Sequence, residues 1–133
     1  MKQLSVEAIV QNIEVVTQFV NTELIANGCS EKARLQIDVA IDEIFSNIAQ
    51  YAYIVEKGNV TVQIEVKDGI ALITFLDEGT YFNPLLVEDP DVSLDAEERS
   101  GGGLGIFLVK KTMDGLKYER HNGQNVLTLT KYI

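Results

Sequence analysis

Two tight turns do most to limit what this chain can fold into. Lys67-Asp68-Gly69 links a run in which Val60, Val62, Ile64 and Val66 alternate with Thr61, Gln63 and Glu65 to a second run, residues 70–76. Asn122-Gly123 links residues 116–120 to 126–132 in the same way. Asp-Gly and Asn-Gly accept the positive φ of a two-residue hairpin, so each linked pair must be antiparallel. Period-two alternation marks 60–66 as a strand with one buried face. Residues 70–76 are apolar at nearly every position, which predicts a central, covered strand.

Helical periodicity fills much of the remaining chain. Val6, Ile9, Val10, Ile13, Val16, Val20 and Leu24 form one apolar stripe, predicting a helix over 5–26 with Ser5 as N-cap and Gly28 as stop. Ser30 caps a second helix, 31–53, whose core stripe is Ala33, Ile37, Ala40, Ile41, Ile44, Phe45 and Ile48. A third spans 104–113, with Leu104, Phe107, Leu108 and Thr112 facing inward and Lys110 and Lys111 near its C-terminal end. Helix, helix, hairpin, helix, hairpin makes a two-layer α+β sandwich, with helices on one face of a mainly antiparallel sheet.

Several residues fit chemistry on that scaffold. Glu43 and Asn47 are four apart and project from one helix face. A carboxylate and an amide so placed suit a general base and a ligand for a hard cation, or are simply solvated surface residues. Asp77 ends the apolar strand and is followed by Glu78-Gly79. Such a carboxylate can accept a bond from an exocyclic amine, and Gly79 lets a flat ring approach the backbone. A plain strand-ending turn uses the same residues. Gly101-Gly102-Gly103 leads through Leu104 to Gly105, just where the third helix starts. A glycine-rich loop opening a helix is a phosphate site or a hinge. Arg99, beside it, reaches either a phosphate or the acidic stretch 85–100 that precedes it. A stretch so long and aperiodic reads most economically as a lid.

Other classes are disfavoured. The glycines do not follow a strand in a βαβ unit, and no Gly-Lys-Ser/Thr closes them, so neither a dinucleotide fingerprint nor a P-loop is present. A formal charge of −9 argues against direct nucleic-acid binding, and a bound phosphate would call for a metal ion. The single cysteine, Cys29, excludes an internal disulfide, and the lone His121 sits at a turn. Without a membrane span or an apolar leader core, the expected setting is the cytoplasm.

Three separated motifs resemble one family. Glu43-Ile44-Phe45-Ser46-Asn47 is similar to the N-box of the GHKL, or Bergerat-fold, ATPases, Asp77-Glu78-Gly79 to their first Gly box, and 101–105 to the second. Within that superfamily the chain most resembles the stand-alone bacterial anti-sigma-factor serine kinases, through 103–109, Met113-Asp114, Ala52-Tyr53 and Phe82-Asn83-Pro84. The resemblance implies a histidine-kinase-type ATPase domain over 1–133, with 85–103 as the ATP lid. It implies ATP and Mg²⁺, with Glu43 as base, Asn47 on the metal and Asp77 and Gly79 at adenine. Arg99, Gly101, Gly103, Leu104 and Gly105 fall around the phosphates. Implied partners are a sigma factor and an anti-anti-sigma protein of the STAS type, with a homodimer as the assembly. A nucleotide-gated binding switch without kinase activity is the alternative. Where the family commonly has His-Ala-Tyr, this chain has Gln50-Tyr51 before Ala52-Tyr53, and Tyr81 and Asn83 flank Phe82. Many members begin with a strand, for which residues 1–4 are short.

Overall fold

The structure, a computed structural model, describes residues 1–53, 56–86 and 104–133. Among these, five strands form one antiparallel sheet in the order β1-β2-β3-β5-β4. They are β1 (Lys2–Glu7), β2 (Asn59–Lys67), β3 (Ile70–Asp77), β4 (Gly115–His121) and β5 (Gln124–Tyr132). Three helices, α1 (Ile13–Ala26), α2 (Glu31–Asn47) and α3 (Leu104–Thr112), cover one face. This is the two-layer α+β sandwich that the hairpins require. Asp68-Gly69 and Asn122-Gly123 have positive φ in pairs, as such turns demand.

The core lies between the layers. Val16, Val20 and Leu24 of α1 and Ile37, Ile41, Ile44 and Phe45 of α2 meet Val62, Ile64, Ile73, Phe75 and Leu129 of the sheet. Every residue of the expected α2 stripe is buried. Ser30 caps that helix, its hydroxyl accepting from the Ala33 N–H at 3.1 Å.

The edges and faces of several elements differ from expectation. Residues 2–7 are a strand, not the start of α1, and they pair with β2 in the register Leu4↔Val62 and Val6↔Val60. Ser5 therefore caps nothing; its hydroxyl meets that of Thr61 at 2.7 Å across the ladder. The pairing satisfies the otherwise open edge of β2, a gain that outweighs a helical turn. A short 3₁₀ turn, Val10–Asn12, then leads into α1 and leaves Val10 59% exposed. The α-helical part of α2 stops at Asn47, and Ile48–Ala52 form a wider π-type turn in place of further α-helix. Wider turns of this kind often mark functional positions.

β3 is central, but only one of its faces is covered. Ile70 and Leu72 are 37% and 38% exposed on the sheet face away from the helices. In α3 Ile106 and Val109 are buried, as is Met113 just after it, while Leu108 is 42% exposed. The helix is apolar on both sides, so its phase is decided by packing against α2 and not by its own pattern.

Candidate functional site

Among the described residues, Asp77 and Asn125 are the polar ones buried in this core, 3% and 4% exposed. They face each other where β3 and β5 pair, in the register Asp77↔Asn125. Asp77 Oδ1 accepts from the Gly79 N–H and from Asn125 Nδ2, both at 2.9 Å, while Oδ2 takes neither bond. Burial pushes the Asp77 carboxyl above its ordinary range, against the pull of those two bonds and of the nearby Arg120 charge.

A small, partly open slot lies over this carboxylate. Ile44 and Ile48 from the second helix and its extension, Phe75, Leu127, Phe82 and Tyr118 form apolar walls, with Asp77, Asn125 and Asn47 as the polar groups. Tyr51 stacks on Phe82, centroid to centroid 5.1 Å. A mostly apolar slot with a few placed polar groups suits a heteroaromatic ring. A carboxylate that accepts but does not donate selects a ring bearing an amine.

Gly79 makes the close approach expected of it, though to protein. A Cβ there would lie 2.5 Å from the Ala52 carbonyl oxygen, which the π-type turn directs at this loop. The same carbonyl accepts from the Thr80 N–H at 2.8 Å. Arg120 Nη1 donates to the Gly79 carbonyl at 2.8 Å. The widened end of α2 thus braces the 77–80 corner.

Glu43 and Asn47 are half-buried on the same helix. Asn47 Nδ2 donates to Glu43 Oε1 at 3.5 Å, a long contact that leaves the amide oxygen free of it. Gly105, in the first turn of α3, packs directly on the Glu43 carboxylate: an added Cβ would stand 2.0 Å from its Cδ and Oε2. Positions 43, 47 and 105 therefore meet, and Asn47 also lines the slot that ends at Asp77. Arg99, Gly101 and Gly103 lie outside the described residues, as does the Leu104 side chain and most of the expected lid.

Among the described residues no group of three or more His, Cys, Asp or Glu side chains converges on a metal position. One hard amide oxygen beside one carboxylate nonetheless fits a magnesium ion that arrives with phosphates, because that ion keeps several waters and takes few protein ligands. Cys29 stays in its loop, burial raising its thiol, and the ring of exposed His121 meets the side chain of the neighbouring Asn122 at 3.1 Å.

Sequence reading missed Asn125, Tyr118 and Arg120. Asn125 left one trace, as a polar residue in phase with inward-facing Leu127 and Leu129. Its partner sits 48 residues away, and nothing local names it.

A family model for the histidine kinase-like ATPase domain matches residues 6–131. The serine-protein kinase RsbW of Listeria monocytogenes is 32% identical over 111 residues, covering 80% of this chain and 70% of that protein. The protein of that name from Bacillus mycoides is 30% identical over 99 residues, 71% of this chain and 61% of its own. Among solved structures, the RsbU and RsbW domains of Rv1364c from Mycobacterium tuberculosis superpose with a TM-score of 0.65 at 18% identity, over 99% of this chain and 32% of that one. The Acinetobacter baumannii histidine kinase AdeS gives 0.55 at 10% identity, over 99% and 68%. At these identities the solved structures speak for the fold alone.

Proposed function

The chain belongs to the histidine kinase-like ATPase family, and from that premise we propose that it is an ATP-dependent protein-serine kinase that acts as an anti-sigma factor. The observation that carries this reading is the sequence of contacts at the site: Asn47 lines the Asp77 slot and, one turn along the same helix, meets Glu43. A nucleotide base in the slot would give its amine to Asp77, and its phosphates would extend toward Asn47 and the start of α3.

The chemistry follows from those positions. Glu43 accepts the proton of a serine hydroxyl as that oxygen attacks the terminal phosphorus. The bond between that phosphorus and the bridging oxygen breaks, ADP leaves, and phosphoserine forms. Mg²⁺, held by the Asn47 amide oxygen and the phosphates, would supply charge neutralisation. The largely apolar slot fixes the base and so the position of the transferred group. Phosphate transfer of this kind needs positioning and electrostatics more than covalent catalysis.

In this reading the whole chain is one ATP-binding domain and 85–103 is its lid, with Arg99, Gly101, Gly103, Leu104 and Gly105 around the phosphates. The substrate is a serine on an anti-anti-sigma protein of the STAS type. Phosphorylation frees the kinase to hold its sigma factor, as a homodimer in the cytoplasm. Support comes from the family match, from relatives named serine-protein kinases, and from a candidate base beside the slot. No described helix is long and apolar enough to cross a membrane.

The test is transfer from labelled ATP to such a partner. Glu43→Ala is expected to lower transfer by about 10²–10⁴-fold while ATP still binds. Transfer that survives the substitution removes Glu43 from the role of base. Tight ATP binding with no transfer by the unaltered protein would identify a nucleotide-gated binding switch instead.

A further inference from the structure

Asn125 lines the slot, yet it has nothing left to offer a ligand. Its Nδ2 donates to Asp77 Oδ1 and to the Thr80 carbonyl, each at 2.9 Å. Its Oδ1 accepts from the Tyr118 hydroxyl at 2.5 Å and from the Phe82 N–H at 3.3 Å. Two donors and two lone pairs are the full capacity of a carboxamide. The amide orientation is also forced. The Thr80 carbonyl only accepts and the Phe82 N–H only donates, so a flipped amide would oppose like groups at both.

The consequence falls on Asp77. Its Oδ1 is occupied by Asn125 and by the Gly79 N–H, which leaves Oδ2 as the oxygen open to a ligand. A carboxylate held on one oxygen by two converging donors cannot turn without breaking both. Tyr118 stiffens the arrangement from β4, since its hydroxyl reaches the far side of the same amide.

We propose that Asn125, backed by the Tyr118 hydroxyl, is a positioning residue that fixes Asp77 with Oδ2 presented to the 6-amino group, and so sets the preference for adenine over a purine without that amine. The inference rests on the reading that the slot binds ATP. It assigns Asn125 no contact with the base: it acts through Asp77. Loss of Asn125 therefore weakens recognition of the amine more than it weakens binding of the ring, whose contacts are with the apolar walls.

The full chain is titrated calorimetrically with ATP and with purine riboside triphosphate, which lacks only the amine. The ratio of the two Kd values is the readout, because general damage to the slot weakens both ligands together. The unaltered protein is expected to prefer ATP by about 10- to 100-fold, the scale of a hydrogen bond to a charged group. Asn125→Ala should bring the two within about threefold. Tyr118→Phe, which removes one hydroxyl and leaves the Phe82 bond, should cut the preference by a smaller factor of about two to five. An undiminished ratio in Asn125→Ala overturns the proposal. Should that variant not fold, an undiminished ratio in Tyr118→Phe overturns it. A different failure is distinguishable: equal affinities in the unaltered protein, or a preference that persists in Asp77→Asn, would show that Asp77 does not read the base at all.

Discussion

Asp77 carries a cost in stability that the proposed role in binding would account for. Burial raises its carboxyl, chiefly by desolvation, so the folded protein holds this proton more tightly than the unfolded chain does. Stability from this group is therefore greatest at low pH. It declines as pH rises from the ordinary aspartate value, about 3.9, through the raised folded value, above which the whole penalty is present. Asp77→Asn removes the charge and keeps an oxygen for Asn125 and Gly79. Its melting temperature is expected to gain on that of the parent protein as pH rises through this window, while its preference for ATP disappears. Melting curves at several pH values check the first part; a constant difference between the two proteins would sink it. A stabilised variant that loses binding is the usual exchange at a functional site. Asp77 itself was legible from sequence, because an acidic residue closing an apolar run stands out. Its partner Asn125 was not, since a single polar residue in a strand says nothing of what lies opposite.

Elements meet at the site through two glycines. Gly79 lies under the Ala52 carbonyl at the end of the π-type turn, and Gly105 lies on the Glu43 carboxylate. The second contact gives α3 a role in placing the candidate base. At Gly105 the obstructing atoms are the end of a flexible side chain, so Gly105→Ala should leave the fold intact and push the carboxylate aside. Phosphate transfer should fall by about 10- to 100-fold, in line with small misplacements at reacting centres. Glu43→Asp withdraws the carboxylate by one methylene, about 1.5 Å. In that background the added methyl should cost much less. A double-mutant cycle on transfer rates measures the coupling, and additive effects would mean that the contact has no bearing on the base. Both glycines were singled out by sequence as ligand-facing. The structure places them against protein, because the requirement for no side chain is the same whichever neighbour imposes it. The phase of α3 was not legible for a related reason: with Ile106 and Val109 on one side and Leu108 on the other, only packing against α2 selects the buried face.

For the molecule as a whole, core and slot are one continuous body. Phe75 is 1% exposed, belongs to the central cluster and also lines the slot, whereas Ile64, equally buried, does not reach it. Phe75→Ala should destabilise by about 3–5 kcal/mol and Ile64→Ala by about 2–5 kcal/mol, large against a typical total of about 5–15 kcal/mol. The two should part on adding ATP. A ligand at a hundredfold its Kd adds about 2.7 kcal/mol, and Ile64→Ala should keep that gain while Phe75→Ala loses much of it. Thermal melts with and without ATP decide the matter, and equal gains would separate the slot from the core. Sequence alone determined the elements whose pattern repeats locally: the α2 stripe, both hairpins and the sandwich they force. It also marked Asp77, an acidic residue closing an apolar run, while Glu43 and Asn47 stood out only through the motif they share with the family. Tertiary structure decided the rest. Residues 2–7 carry too few repeats to declare themselves and become a strand because β2 offers an unpaired edge. Asn125 stands at Asp77 because β3 and β5 pair in one register across 48 residues. A slip of one residue would turn it to the opposite face, and that register is held by burial summed over the whole sheet, which no short stretch of chain contains.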